Sequence, residues 1–199
     1  MNISLDYIRA LEKEIVILKK EIEKLKKDQL TDVYNRHYLD ELVNGEYKKY
    51  LENSDNCYYH VYLIDLVDLH KVNRTEGYEI GDMYIKEVAT FLKNIIYEHN
   101  ADGKVFRIGG DEFLVIINPS DYISIEAFAN VKFDIAYRKW KKNMSFTDVM
   151  RLLDKDIVKQ KAAKQRSIRC DKCIVYEHPE IVDKVLDEIE EIEESEKRR

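Results

Sequence analysis

The sequence predicts an α/β fold, in which a β-sheet is flanked by helices and preceded by one long amphipathic helix. Apolar, strand-like segments alternate with amphipathic helical segments along most of the chain, an order that is typical of α/β sheets. The 199 residues and the 45% hydrophobic content suffice for one domain with its own core plus an N-terminal helix. No internal repeat interrupts this pattern.

The N-terminal segment carries apolar residues three and four positions apart, with Glu and Lys between them: Ile8, Leu11, Ile15, Leu18, Ile22 and Leu25. Isoleucine at the first core position of each heptad and leucine at the second favour a parallel two-stranded coiled coil. We therefore expect residues 1–27 to form a stalk that joins two copies of the chain in a homodimer. An amphipathic helix that lies on its own domain would show the same stripe.

Strand and helix patterns follow this segment in a regular order. The strand that ends at Asp65 is β-branched and aromatic throughout, which predicts burial on both faces. Gly109 and Gly110 separate two apolar runs and predict a hairpin whose two-residue turn has positive backbone dihedrals. The predicted elements are a helix from Arg36 to Leu51, a strand to Asp65, a helix after Gly81, the hairpin, a helix near Ile125, a strand Val131–Tyr137, a helix Phe146–Ala163, a strand Cys173–Tyr176 and a terminal acidic helix.

Carboxylates stand at two of the predicted strand ends. Asp111 and Glu112 follow the glycine pair, and Asp65 ends the apolar strand. Hard cations such as Mg²⁺ take oxygen ligands, and one or two carboxylates are commonly among them. Asp65 and Asp111 are therefore candidate metal ligands, although Asp111 and Glu112 taken alone also fit a solvated acidic turn.

Residues 65–82 resemble the nucleotide-site signature of the GGDEF-domain diguanylate cyclases, and residues 109–113 read Gly-Gly-Asp-Glu-Phe. Residues 28–36 are similar to the first motif of that family, with Asp32 where a glycine is usual. Residues 131–137 and 152–166 resemble its last strand and helix motifs. The resemblance spans residues 28–177 and leaves residues 178–199 as an acidic helix or tail.

This resemblance implies a palm-like nucleotidyl cyclase sheet of ferredoxin-like type, which binds GTP and joins two GTP molecules into cyclic di-GMP across a dimer. It implies Mg²⁺ or Mn²⁺ held by Asp65, the carbonyl of Leu66 and Asp111, with Asp111 and Glu112 as the catalytic acids. It also implies that Asn73 and Asp82 bind guanine. The phosphate-binding positions that it implies are Leu69, His70, Lys161 and Arg166.

Several positions leave alternatives open. Asn73 is also a plausible turn residue, and Asp82 a plausible helix N-cap. His70 stands where the family has a lysine, and Gln165 where it has an arginine that would clamp phosphate through a planar fork. A catalytically weak GTP-binding regulator, or a related palm-domain cyclase that makes another cyclic oligonucleotide, therefore remains an alternative. Residues 100–103 do not match the product-binding motif of the family, so product inhibition through that site is not expected.

Composition excludes several other classes of function. A formal charge of −6 argues against binding to nucleic acid polymers, and the short basic run at residues 138–142 is expected to solvate a loop. No apolar run reaches membrane-spanning length and no signal peptide opens the chain. Cys170 and Cys173 lack a second pair to complete a zinc site, and with Cys57 they suit a reducing cytoplasm.

Overall fold

A computed structural model describes residues 5–53, 57–128 and 133–169, without the side chains of residues 6 and 165–169. The chain divides into two compact units after Lys161, and the described part of the second unit is the end of the last helix. The predictions made for Cys170 and Cys173, for the strand 173–176 and for the terminal helix lie outside the described residues.

Five strands form one sheet in the part of the chain that the structure describes, in the order β1-β3-β4-β2-β5. The strands β1 and β3 are parallel, and all other neighbouring strands are antiparallel. The strands are β1 (Tyr34–Asn35), β2 (Tyr58–Leu66), β3 (Gly103–Arg107), β4 (Glu112–Ile117) and β5 (Phe133–Lys141).

Helices lie before, between and after these strands in the chain. They are α1 (Leu5–Leu25), α2 (Arg36–Asn44), α3 (Glu46–Glu52), α4 (Leu69–Glu76), α5 (Tyr78–Glu98) and α6 (Phe146–Arg169), with a 3₁₀ helix at Ile125–Phe128. The predicted α/β fold is confirmed. The helix that we expected near Ile125 is present as a 3₁₀ helix of four residues.

The strand β2, which lies between β4 and β5, is buried on both faces, as its composition predicted. Successive side chains of a strand point to opposite faces of the sheet. Ile64 therefore belongs to a core cluster with Leu92 of α5, whereas Leu63 belongs to a second cluster with Leu153 of α6. One cluster includes residues of α4 and α5, and the other includes residues of α2, α3 and α6, so helices cover both faces of the sheet.

Two predicted helix boundaries are wrong for reasons of backbone conformation. The expected helix from Arg36 to Leu51 is broken at Gly45, whose φ of −111° and ψ of −97° lie outside the helical region. The helix expected after Gly81 begins earlier, at Tyr78, because Gly77 adopts a φ of 96° and separates α4 from α5. A glycine tolerates this left-handed conformation at little cost.

The basic run at residues 138–142 lies mostly on β5 and not in a loop, so this prediction is also wrong. Trp140 pairs with Tyr59 across the sheet and is 3% exposed, while the flanking residues Lys139 and Lys141 are exposed. Arg138 forms an ion pair with Asp156 of α6 at 2.7 Å. Alternation with a period of two, which identifies strands, is present here but is masked by the charges.

The long helix α1 displays its apolar stripe. The six side chains that the heptad pattern predicts as core are between 41% and 73% exposed. Coiled-coil pairing through this stripe stays a prediction. Among the described residues, no helix has both the length and the apolar character that a bilayer crossing requires.

Asn35 joins the end of α1 to the start of α2. Its side-chain amide donates to the carbonyl of Leu25 at 2.7 Å and to that of Lys27 at 3.1 Å. Its side-chain oxygen accepts from the backbone N–H of Tyr38 and so caps α2. One side chain therefore satisfies polar groups that each of the two helix ends would otherwise leave open.

Candidate active site

Three acidic side chains lie in a row across the sheet. Asp65, near the end of β2, is directly opposite Glu112 of β4 on one side and Asp134 of β5 on the other. Residues directly opposite on antiparallel strands share a face, and their Cβ atoms are about 5 Å apart. Asp65 and Asp134 are 9% and 3% exposed. Like charges so placed repel one another, which favours a cation beside them.

The turn between β3 and β4 brings a fourth carboxylate, that of Asp111, close enough for its charge to act on Glu112 and Lys161. The backbone N–H of Leu66 donates to the carbonyl of Asp111 at 3.0 Å, and the N–H of Ile108 donates to the carbonyl of Glu112 at 3.0 Å. These bonds hold the turn at residues 108–111 beside the end of β2. The structure thus brings together Asp65, Leu66, Asp111 and Glu112, which the sequence placed in two distant segments.

The glycine pair has a different role in this turn from the one we predicted. Four residues, and not two, connect β3 to β4, and Gly77 is the one glycine with a positive φ in the described chain. A Cβ atom on Gly109 would lie 2.8 Å from Oε2 of Glu112, closer than real contacts allow. Gly109 therefore provides space for the carboxylate of Glu112 instead of a left-handed backbone.

Lys161 supplies a positive charge to the row. Its Nζ lies 2.7 Å from Oδ1 of Asp65, and the two side chains are 45% and 12% exposed. Lys161 continues a stripe on α6 with four-residue spacing, whose preceding members are the buried residues Val149, Leu153 and Ile157. Residues at this spacing lie on one face of the helix. The first three are in the core, and Lys161 is the partly exposed member at the end of the stripe.

The charges of the site shift the pKa values of Glu112 and Lys161. Burial, reinforced by the negative charges of Asp111, Asp65 and Asp154, raises the pKa of Glu112, and Lys161 offsets part of this rise. Burial lowers the pKa of Lys161, but its hydrogen bond to Asp65 and the charges of Asp65, Asp134 and Asp111 outweigh burial, so the pKa is raised. The carboxylates outnumber the ammonium, so the site is electronegative.

We expect Glu112→Gln to stabilise the domain at neutral pH by about 0.5–1 kcal/mol, because it removes a charge directly opposite Asp65. The pKa of Glu112 is raised in the folded state. The contribution of this group to stability is therefore fully present below the unfolded pKa and is lost as the pH rises through the folded pKa. The extra stability of the variant over the unchanged protein should therefore increase as the pH rises through the folded pKa of Glu112.

Urea unfolding of the variant and of the unchanged protein at pH 4 and at pH 7.5 measures this difference. Glu87→Gln, at an exposed position in the middle of α5, is the control and should be neutral at both pH values. A Glu112→Gln variant that is less stable at pH 7.5 would show that repulsion within the row is not the dominant effect.

The carboxylates of this row fit a divalent cation whose coordination shell also includes ligands from outside the protein. No three His, Cys, Asp or Glu side chains of the described residues form a ready-made metal-binding group. Mg²⁺ is usually bound through one or two carboxylates together with substrate phosphates and water, and not by an all-protein cage. Asp65, Asp111 and the carbonyl of Leu66 match that pattern of partial ligation.

The predicted guanine-binding residues lie on α4 and α5. A Cβ atom on Gly81 would lie 1.8 Å from Oδ1 of Asn73, so the amide of Asn73 lies directly over Gly81, next to Asp82. Both alternative interpretations are wrong: Asn73 is inside α4 and not in a turn, and Asp82 is inside α5 and not its N-cap. Asp82 is exposed and Asn73 half-buried.

The predicted phosphate-binding residues lie on two helices. Leu69 is buried and His70 is exposed in the first turn of α4, which begins directly after β2 and has no side-chain hydrogen bond from its N-cap residue Asp68. Uncapped N–H groups at a helix start suit anions. Lys161 lies on α6 at Asp65. The side chains of Gln165 and Arg166 lie outside the described residues.

Arg107 links the turn of the site to the start of the domain, and sequence reasoning did not single it out. Its Nη1 lies 3.2 Å from Oδ1 of Asp28, and its Nη2 donates to the carbonyl of Gly110 at 2.8 Å. Burial raises the pKa of Asp28, but hydrogen bonds from Thr31 and Arg107 outweigh it, and the pKa is lowered. The signal that was available is the arginine inside the apolar run at residues 105–108.

Asp134 and Asp154 were also missed. Asp134 interrupts an apolar strand pattern on β5, and this interruption was the signal. Asp154 is exposed on α6 and acts on Glu112 through its charge. Asp134 could not be connected with Asp65 without knowledge of the strand register, and Asp154 could not be connected with Glu112 without knowledge of how α6 packs on the sheet.

The family model for the diguanylate cyclase GGDEF domain matches residues 25–148. Diguanylate cyclase DgcZ of Escherichia coli K12 is 30% identical over 94 residues, which cover 47% of this chain and 29% of that protein. Cyclic di-GMP phosphodiesterase PdeR of the same strain is 30% identical over 103 residues, which cover 52% of this chain and 14% of that protein. The chain therefore spans less than a third of the length of either relative.

Solved structures share the fold. The coiled coil and GGDEF domain of DgcB from Caulobacter crescentus, in complex with c-di-GMP, matches with a TM-score of 0.68 and 16% identity over 79% of this chain and 92% of that chain. The S helix-GGDEF-EAL structure of LapD from Vibrio cholerae matches with a TM-score of 0.61 and 22% identity over 77% of this chain and 38% of that chain. Since the family model covers more than half of the 199 residues, the chain belongs to the diguanylate cyclase GGDEF-domain family.

Proposed function

We propose that this domain condenses two molecules of GTP into cyclic di-GMP. The observation that carries the proposal is the position of Asp65 opposite Glu112, next to the turn that holds Asp111, in a chain of the GGDEF family. Carboxylates kept side by side despite their repulsion are typical of functional sites. The arrangement suits a site that receives positive charge together with a triphosphate.

Asp65, Asp111 and the carbonyl of Leu66 would hold Mg²⁺ or Mn²⁺. When bound, such an ion neutralises charge at the α-phosphate and favours ionisation of the attacking hydroxyl. Phosphate oxygens and water would complete its ligands.

Asp111 is the proposed acceptor of the proton from the ribose 3′-hydroxyl, and Glu112 is the second carboxylate of the pair. The 3′ oxygen forms a bond to the α-phosphorus of the other GTP, the bond to the β-phosphate oxygen breaks, and pyrophosphate leaves. In a second step of the same kind, the two nucleotides exchange roles: the 3′ oxygen of the second attacks the α-phosphorus of the first. This step closes the ring and releases a second pyrophosphate. Positioning and charge account for most of the catalysis in such phosphoryl transfers.

Base selection is assigned to Asn73 and Asp82. The amide of Asn73 can pair with N3 and the exocyclic amine of guanine, and the carboxylate of Asp82 can accept from N1 and N2. Adenine lacks these donors. The phosphate contacts are assigned to four positions: Leu69, His70, Lys161 and Arg166.

A domain that holds one GTP can make a cyclic dinucleotide only when two domains face each other. We assign the pairing to the exposed stripe of α1, as a parallel coiled coil that raises the effective concentration of the two sites. Ile15→Lys should therefore lower the mass measured by light scattering from dimer to monomer. Val16→Lys is the matched control, because Val16 is equally exposed, at 52% against 50%, but lies outside the stripe. Equal masses for the two variants would contradict the assignment.

Incubation of the purified protein with each nucleoside triphosphate and Mg²⁺ or Mn²⁺, followed by mass spectrometry, tests the activity. Cyclic di-GMP formed from GTP alone is the expected result. A different cyclic oligonucleotide would favour the related palm-domain cyclase. GTP binding without turnover at any protein concentration would favour the regulator, which His70 supports because it stands where the family has a lysine.

A further inference from the structure

We propose that Lys161 is the built-in counter-ion of the site: its ammonium group, bound to Asp65 in this structure, has to leave that carboxylate before Asp65 can hold a divalent cation, and then serves the phosphates of the nucleotide. This inference rests on the proposed function, because it concerns how the same site takes up a metal ion and GTP. It assigns one side chain to two positions in turn.

The contact itself shows the competition. Nζ of Lys161 lies 2.7 Å from Oδ1 of Asp65, which is the distance of a strong charge-assisted hydrogen bond. A divalent cation ligated by the same carboxylate would lie within a few Å of the ammonium group. Two positive charges at such a separation repel each other strongly near a protein surface, so both cannot stay on Asp65.

The charges around Lys161 explain why it is held and also why it can be displaced. Asp134, which is 3% exposed, lies opposite Asp65, and its charge acts on Lys161 together with those of Asp65 and Asp111. With Glu112 included, four carboxylates face one ammonium. A divalent cation brings twice the charge to the same group, so exchange of one cation for the other is electrostatically favourable.

The lysine can move without any change in the fold. Its helix is anchored by the buried residues Val149, Leu153 and Ile157 and by a hydrogen bond of 2.7 Å from Gln160 to the carbonyl of Ile135. The side chain of Lys161 itself is 45% exposed and has a flexible four-carbon stem. The switch is therefore confined to side-chain torsions, while the backbone of α6 stays in place.

A functional consequence is coupling between metal and nucleotide. The lysine that leaves Asp65 becomes available to phosphate, so each ligand favours the binding of the other, and such coupling is reciprocal. A lysine that served only as a phosphate ligand would weaken GTP binding on removal whether or not a metal ion is present. A lysine held on Asp65 contributes to GTP binding mainly when the metal ion is present.

The first test measures the affinity for Mn²⁺ in the absence of nucleotide, with the electron paramagnetic resonance signal of the free ion as the readout. Lys161→Met should bind Mn²⁺ about threefold to tenfold more tightly than the unchanged protein, a range set by the partial exposure of the pair. Lys161→Arg should return the affinity toward the original value. Lys159→Met, exposed on the same helix, is the control and should change nothing. Unchanged, weaker or undetectable Mn²⁺ binding by Lys161→Met would overturn the proposal.

The second test is titration with a non-hydrolysable GTP analogue, with Mn²⁺ and with a chelator. Lys161→Met should lose more affinity with Mn²⁺ than with the chelator, and equal losses would overturn the proposal. Product analysis separates the two ideas. If the unchanged protein forms cyclic di-GMP and Lys161→Met binds Mn²⁺ no more tightly, only the counter-ion role is rejected. If Lys161→Met binds Mn²⁺ more tightly but the unchanged protein forms no product, the counter-ion role is supported and the cyclase assignment is rejected.

Discussion

Replacing Asp65 by asparagine is expected to slow cyclic di-GMP formation by about a thousandfold or more, which corresponds to roughly 4 kcal/mol of lost transition-state stabilisation. The amide has almost the same shape as the carboxylate, so the strand and its neighbours stay in place. What is lost is the central charge of the row, which lies between Glu112 and Asp134. Mass-spectrometric measurement of initial rates at saturating GTP and Mn²⁺ gives the result directly.

The matched control is Asp40→Asn, an exposed carboxylate on α2, which should leave the rate unchanged. The fold of Asp65→Asn should survive, because the variant relieves repulsion within the row while it loses one partly exposed ion pair. Circular dichroism and urea unfolding verify this. A rate within tenfold of the original, in a folded variant, would remove Asp65 from the site.

The second large effect is expected at Arg107. Arg107→Met should lower the free energy of unfolding by about 2–3 kcal/mol, because it leaves the carboxylate of Asp28 without its charged partner and the carbonyl of Gly110 without its donor. Both ends of this link are largely shielded, since Arg107 and Asp28 are 15% and 23% exposed. The methionine preserves most of the aliphatic packing, so the loss reports on polar contacts.

Urea unfolding, with Arg151→Met as the control, measures this effect. Arg151 forms an ion pair with Asp148 at 3.3 Å, but both side chains are more than half exposed. Such a pair contributes less than about 1 kcal/mol. Similar losses for the two variants would indicate that the position of Arg107 between Asp28 and the turn has no special stabilising effect. Activity of Arg107→Met should fall as well, because Gly110 precedes Asp111 directly.

Much of the fold could be predicted because its signals are local. The apolar composition of the strand before Asp65 indicated burial on both faces, and the two apolar runs around Gly109 indicated a hairpin. Both follow from the periodicity of neighbouring residues. The convergence of Asp65 with Asp111 was expected from the family resemblance, and in the structure the backbone bond from Leu66 to Asp111 brings the two segments together.

The remaining features depend on register and on single backbone angles, which local patterns do not reveal. Asp134 joins the row only because β5 pairs with β2 so that residue 134 faces residue 65. A shift of one residue would place it on the other face of the sheet. The start of α5 was missed because the positive φ at Gly77, and not Gly81, ends the preceding helix. Gly81 instead makes room for Asn73.

The hydrogen bonds of Asn35 have a mechanical consequence. The side chain of Asn35 bonds to the last turn of α1 and to the first turn of α2 at the same time. These bonds restrict the movement of one helix end relative to the other. Any rotation of α1 about its own axis would therefore strain hydrogen bonds of the same side chain that holds the start of α2.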